Sequence, residues 1–278
     1  MRPGYITSGF RDHRLEQVFE VLAGLGYAGV GITLDAGHLD PYRAGREEVL
    51  RVRDDLRRFG LEPVVETGGR YLLDPRRKHW PSLVSAEGRE RRIDFYLRGL
   101  EIAEALGARA LSLWSGPKDA PVEAGTAWRW LVEGLRIVER AARERKVALG
   151  FEPEPGMLVG DLAGYRELRE RLSRPEAPAL RMTIDLGHLQ CTEEPPHARW
   201  IREFEGDLVN VHLDDIRGKT HEHLPLGEGE IDFPPLFGAL EEVSYGGLTL
   251  VELGRHSHQA PECAARSMDF LRRLGAVS

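Results

Sequence analysis

The sequence predicts an α/β chain folded as a single (β/α)8 TIM barrel over residues 1–278, and three observations predict it. Short apolar, β-rich runs alternate with longer amphipathic segments eight times, and such alternation implies parallel strands joined by crossover helices. Eight strand–helix units within 278 residues fit a closed barrel better than an open sheet. No low-complexity linker or shift in composition divides the chain, so one domain is expected.

The strand windows are 4–9 (GYITSG), 28–33 (AGVGIT), 61–66 (LEPVVE), 109–114 (RALSLW), 147–152 (VALGFE), 180–185 (LRMTID), 208–213 (LVNVHL) and 248–253 (LTLVEL). Most are rich in Val, Ile and Leu without clean alternation, as strands covered on both faces are. Among the helical segments, 46–60 carries Val49, Leu50, Val52, Leu56 and Phe59 on one broad stripe and stops at Gly60. Segments 88–107 and 125–146 repeat this at greater length. Asp161 is a candidate N-cap for the helix before RLSRPEAP, and a last helix covers roughly 261–274. The long connections 67–87, 115–124 and 214–232 all follow strands, which puts them on the C-terminal rim where barrels keep their sites.

Composition narrows the function. Hydrophobic residues make up 41% and charged residues 30%, which is ordinary for a soluble globular protein. No apolar run approaches the ~20 residues of a membrane helix, and the opening MRPGYITSGF lacks a secretory pattern, so a cytoplasmic location and no membrane partner are expected. Cys191 and Cys263 lack metal-type spacing and read as reduced thiols. A net charge of −7 without a long basic run argues against nucleic acid as the partner.

The strand ends carry the chemistry. Window 147–152 ends on Glu152, window 180–185 ends on Asp185, His212 lies in window 208–213 and Glu252 in window 248–253. Parallel barrel strands point the same way, so these four groups converge on one rim. Three carboxylates brought together raise one another's pKa values, and a divalent cation removes that conflict by favouring the ionised forms. Three carboxylates and one imidazole, with no thiolate, suit one Mn²⁺ as the first expectation, with Mg²⁺, Co²⁺ or Zn²⁺ also accommodated.

Around this quartet stand candidate substrate ligands. His188 follows Asp185 by three residues and reaches over the same rim, as a substrate ligand or as part of a second metal site with His221 and His223. Arg217 could hold a substrate oxygen or phosphate. Glu66 ends the third strand window and faces the site, before a loop long enough to be a lid. Trp114 ends the fourth and could stack on a sugar ring; Glu154 and His38 are further rim candidates.

Taken in order, FEPEPG, TIDLGH, VNVHLDD, HLPLGEGEIDF and LVELG resemble the xylose isomerase-like barrel superfamily, most strongly over 147–254. That group includes sugar and sugar-phosphate isomerases and epimerases, inosose dehydratases, hydroxypyruvate isomerases and the endonuclease IV class. The resemblance implies one divalent ion on Glu152, Asp185, His212 and Glu252, with His188 and Arg217 on substrate oxygens. It also implies that Glu152 and Glu252 face each other across a carbohydrate-like substrate and exchange a proton beside its carbonyl, through an enediolate.

The expected activity is therefore metal-dependent isomerisation or epimerisation of a sugar, polyol or sugar phosphate, with an inosose-type dehydratase as a close variant. A metal-dependent phosphodiesterase resembling endonuclease IV is the alternative, kept open by His188, His221 and His223. Against it, Glu66 and Trp114 stand where that class has further histidines. A non-catalytic metabolite-binding barrel is the third reading, and a homodimer is compatible with all three.

Overall fold

The computed structural model describes residues 1–119, 122–172 and 180–277. Eight parallel strands close into a barrel in sequential order: β1 (Arg2–Ile6), β2 (Gly29–Thr33), β3 (Glu62–Glu66), β4 (Ala110–Leu113), β5 (Ala148–Phe151), β6 (Leu180–Asp185), β7 (Leu208–Leu213) and β10 (Leu248–Val251), with β10 pairing back to β1. The fold is the (β/α)8 barrel that the alternation predicts. Between β7 and β10 the chain inserts an antiparallel hairpin, β8 (Asp215–Arg217) and β9 (Thr220–Leu224), within the long 214–232 connection.

The surrounding helices are α1 (Leu15–Leu25), α2 (Arg46–Phe59), α3 (Arg89–Leu106), α4 (Ala124–Arg145), α5 (Leu162–Leu172), α6 (Leu186–Thr192), α7 (Ala198–Glu203), α8 (Phe233–Glu242) and α9 (Ala260–Arg273). Helix α2 buries Val49, Val52 and Leu56, three members of its apolar stripe, and ends where Gly60 turns left-handed at φ 66. Asp161 caps α5, its Oδ1 accepting from the Gly164 amide at 2.7 Å. The RLSRPEAP stretch runs from the end of α5 into 173–179, and the middle of the 115–124 connection is 120–121; both lie outside the described residues.

One expected boundary differs. The first window, 4–9, becomes a strand that stops at Ile6 and a tight turn over Thr7–Phe10. The Thr7 hydroxyl takes the Thr33 amide at 3.0 Å, replacing a strand-to-strand bond with a side-chain one and releasing the backbone into the turn. Ser8 is left beside the barrel mouth.

Inside the barrel the period-two rule becomes visible. Ile6, Val64, Ala110, Leu248 and Leu250 form an apolar plug in the lower barrel. The next inward positions up these strands are Ser8, Glu66, Ser112 and Glu252, and on neighbouring strands Thr183, Asp185, Asn210 and His212 occupy the polar level. Ser112 and Thr183 close their level with a 3.1 Å hydrogen bond. Outward positions such as Val65, Leu111, Leu149 and Val211 are buried against the helices. Glu152 and Glu252 follow the last residues of β5 and β10, yet their amides still reach Leu113 O at 2.8 Å and Leu213 O at 2.9 Å. The ladder thus carries both carboxylates to the rim.

Candidate active site

Above the plug the barrel opens into a cavity of about 1110 Å³. Glu66, Trp114, Glu152, His188, His212, His221, His223 and Glu252 all line it.

Asp185 explains why an apolar strand runs directly into a carboxylate. It is the last residue of β6 and the N-cap of α6, where its Oδ1 accepts from the His188 amide at 2.9 Å. Its Oδ2 is buried and has no hydrogen-bond partner. One oxygen therefore fixes the strand-to-helix turn while the other is left for a ligand. Gly187 in this turn is required for close approach: a Cβ there would lie 1.9 Å from Asp214 Oδ1.

His212 sits at the centre. Its Nδ1 faces Glu152 Oε1 and Glu252 Oε2, each at 3.1 Å, and its Nε2 faces Glu66 Oε1 at 3.1 Å. Glu66 also accepts from Asn210 Nδ2 at 2.9 Å, so the carboxylate that orients the imidazole is itself held. One nitrogen directed at the cluster and the other at an anchored carboxylate is the arrangement that orients metal-ligating histidines. Candidate ligand atoms of Glu152, Asp185, His212 and Glu252 lie within 4.8 Å of one another. This all-oxygen-and-imidazole set, with its orphaned Asp185 oxygen, fits a divalent ion.

Without an ion the quartet is electrostatically frustrated. Burial pushes Glu152 up to about 7 against the pull of His212, and the neighbouring carboxylates add to the rise. Burial would lower His212, but Glu152 and Glu66 hold it well above the usual histidine range. Glu252 and Asp185 are lowered despite burial, Glu252 chiefly by His212 and Asp185 chiefly by His188.

A second cluster stands beside the first. His188 is buried, with Nδ1 3.1 Å from Pro153 O and Nε2 3.0 Å from His221 Nε2. His221 and His223, alternate residues of β9, present their rings to His188 with centroid separations of 4.7 and 5.7 Å. Candidate ligand nitrogens of the three lie within 4.8 Å of one another. Burial and the two neighbouring histidines push His221 down to about 4. His223 goes up to about 10, because Asp214 Oδ2 at 2.5 Å overcomes the burial that would lower it.

Trp114 is buried and packs edge-on against His79, with ring centroids 5.0 Å apart. The 67–87 connection borders the cavity through Thr67, Arg70, Lys78 and His79. The fully buried Arg92 on α3 fastens this loop, donating to Pro81 O at 2.8 Å and His79 O at 3.1 Å.

Arg217 lies away from the other candidates. It is exposed, its Nη2 donates to Glu228 O at 2.8 Å, and it does not line the cavity. It pairs with Thr220 at the hairpin tip, where the turn carries its side chain outward while β9 sends its histidines in. His38 also turns away, its Nε2 lying 3.2 Å from Phe10 O and 3.1 Å from His13 O. Glu154 does line the cavity. Sequence reading missed Asn210, legible only as the inward neighbour two residues before His212, and both aspartates of HLDD. Asp214 backs His223, and Asp215 accepts the amides of Ile216, Gly227, Gly229 and Ile231, tying the glycine-rich loop to the hairpin.

Comparison with known proteins agrees with this architecture. An inosose dehydratase of Clostridium perfringens is 26% identical over 142 residues, 45% of this chain and 46% of that protein, so the match takes in about half of that relative's length. An L-ribulose-5-phosphate 3-epimerase of Escherichia coli is 21% identical over 216 residues, 76% of this chain and 75% of that protein. Among solved structures, a 3-keto-D-glucoside 4-epimerase from E. coli superposes over all of both chains with TM-score 0.78 at 19% identity, a likeness of fold. The family model for the xylose isomerase-like TIM barrel matches residues 12–274, and the chain belongs to that family.

Proposed function

We propose that this protein is a divalent-metal-dependent isomerase or epimerase acting on a sugar, polyol or sugar phosphate by proton transfer through an enediolate. The observation that carries the reading is the buried convergence of Glu152, Asp185, His212 and Glu252, with one Asp185 oxygen left unpartnered. These four would hold the ion, with Mn²⁺ the first expectation. Its chemistry would be to polarise a carbonyl and the neighbouring hydroxyl, which lowers the barrier to removing the proton between them.

The protein's own groups supply the rest. Glu152 and Glu252 come from strands on different sides of the barrel mouth, with His212 between them. One carboxylate oxygen removes the proton from carbon and the other returns it, to the opposite face in epimerisation. Glu66 and Asn210 keep His212 in one orientation. His188 offers Nε2 toward substrate oxygens, and Trp114 offers an apolar wall. The inosose dehydratase relatives fit a variant in which loss of a β-hydroxyl follows the same proton removal. The chain would act as one barrel domain on a small carbohydrate-like molecule, with a cytoplasmic location and a homodimer as further parts of the proposal.

A second reading is favoured by one observation, the convergence of His188, His221 and His223. A second ion there would suit phosphodiester hydrolysis. The test is incubation of the Mn²⁺-loaded protein in D₂O with a panel of ketoses, inososes and their phosphates, and separately with abasic DNA as a phosphodiester. The proposed function gives deuterium at the carbon beside the carbonyl in at least one compound, abolished by Glu152→Gln. Hydrolysis of a phosphodiester with no exchange in any compound would favour the second reading.

A further inference from the structure

The same cavity carries a second chemistry that the metal quartet does not use. Arg11, Arg70, Lys78 and Arg255 all line it. Among the described residues, none of the four forms an ion pair with a carboxylate, although the surface arginines commonly do. Of the cavity's other two arginines, Arg43 pairs with Asp40 at 3.8 Å, and Arg91 donates to the Leu73 carbonyl as Arg70 does to that of Gly254. Asp35 also lines the wall and favours the charged forms of Arg11 and Arg70 without a direct ion pair, its Oδ1 accepting from the amides of Gly37 and His38.

Arg70 is anchored rather than waving in solvent. It is partly buried, and its Nη2 donates to Gly254 O at 3.1 Å, two residues beyond Glu252. The contact depends on Gly254: a Cβ there would lie 2.7 Å from Arg70 Nη2 and 3.2 Å from Ser8 Oγ. Ser8 is 8% exposed and also lines the cavity, and its hydroxyl has no hydrogen-bond partner. Buried hydroxyls normally have one. Burial holds Arg70 and Lys78 below their ordinary pKa values, with added repulsion from Arg11 on Arg70 and from Arg70 on Lys78, against the opposing pull of Glu252 and Asp35 on Arg70 and of Glu154 on Lys78. Lys78 and Arg255 are exposed at the mouth, Arg11 and Arg70 are half-buried, and with the Ser8 hydroxyl they leave donors free for an anion beside the nearby carboxylates Asp35, Glu154 and Glu252.

From this geometry we infer that Arg11, Ser8, Arg70, Lys78 and Arg255 form an anion subsite that receives a phosphate monoester on the substrate. A carboxylate is satisfied by one arginine fork, whereas a phosphate monoester brings about two negative charges and three free oxygens, enough to engage several of these cations and the hydroxyl together. The inference rests on the proposed function for what happens at the other end of the substrate. It narrows that function to sugar phosphates, the reacting carbons lying at the quartet and the phosphate beside Gly254.

Calorimetric titration of the full chain with inorganic phosphate tests it without turnover. Metal-free wild type and Asp185→Ala are expected to bind phosphate alike. Arg70→Gln is expected to weaken binding about tenfold or more, Ser8→Ala by less, and Arg70→Lys to restore part of the loss, each with unchanged circular dichroism. Phosphate binding that requires the loaded metal and ignores Arg70→Gln would place the anion on the ion and overturn the inference. Absence of phosphate binding, or binding of acetate as tight as phosphate, would also overturn it. Intact phosphate binding with no deuterium exchange on any sugar phosphate would leave the subsite standing and remove the proposed function.

Discussion

Asp185 shows how one residue can serve fold and site together, and how the two roles can be separated. Asn caps helices as well as Asp, whereas Ala does not. Asp185→Asn should keep the α6 cap but lose bound metal, because an amide NH₂ would replace the unpartnered Oδ2. Asp185→Ala should lose the metal and about 1 kcal/mol of stability as well, read by metal analysis and urea unfolding. On a responsive substrate, Glu152→Gln and Glu252→Gln should each lower kcat by about 10²–10⁴-fold, and either retaining full rate would remove it from the proton path. These positions were legible because side chains alternate along a strand and parallel strands share one rim. The outward position of Arg217 was not legible, because nothing in DIRGKTHEH reveals the hairpin register that sends its side chain out.

At the scale of elements, the β8–β9 hairpin and the 67–87 loop form opposite walls of the mouth, each held by buried polar contacts. In the metal-free protein, Asp214→Asn should bring His223 from about 10 down toward the ordinary histidine value, followed by NMR titration of its ring. A titration unchanged by the substitution would remove Asp214 as the cause. On the other wall, Arg92→Met strips the donors from the Pro81 and His79 carbonyls. It should lower stability by about 2–4 kcal/mol in urea unfolding and loosen the loop that carries Arg70 and Lys78. Neither device was visible beforehand. Arg92 reads in sequence as one more helix cation, and only the tertiary fold shows that it is fully buried.

For the molecule as a whole, the strand–helix alternation made the barrel legible, since parallel strands need crossovers and eight of them close. The inner pattern was not, because small and polar inward residues such as Gly31, Gly150 and Ser112 break the apparent alternation. Concentrating ionisable groups at the mouth has a consequence for stability. Glu152 and Glu154 are raised from 4.5 to about 7, and Asp214 from 3.8 to about 7, each first by burial. The metal-free native state therefore binds more protons than the unfolded chain over that window, so its stability falls as pH rises through it. His223, raised from 6.5 to about 10, extends the decline upward. The lowered Asp185 and Glu252 act below about pH 4.5. His79, lowered to about 3, and His221, lowered to about 4, bind fewer protons than in the unfolded chain up to about 6.5 and offset part of the decline there. Thermal melts of metal-free protein should drop most steeply between about pH 6.5 and about pH 8, while the stabilisation given by Mn²⁺ should grow over the same range. A metal-free melt that rises across this range would contradict the frustrated quartet.

The most direct measurement is elemental analysis of the purified chain after Mn²⁺ loading and desalting, in wild type, Asp185→Ala and His221→Ala. The quartet account predicts about one divalent ion per chain in wild type and in His221→Ala, and none in Asp185→Ala. An ion retained by Asp185→Ala but lost from His221→Ala, or no ion in any of the three, would contradict it.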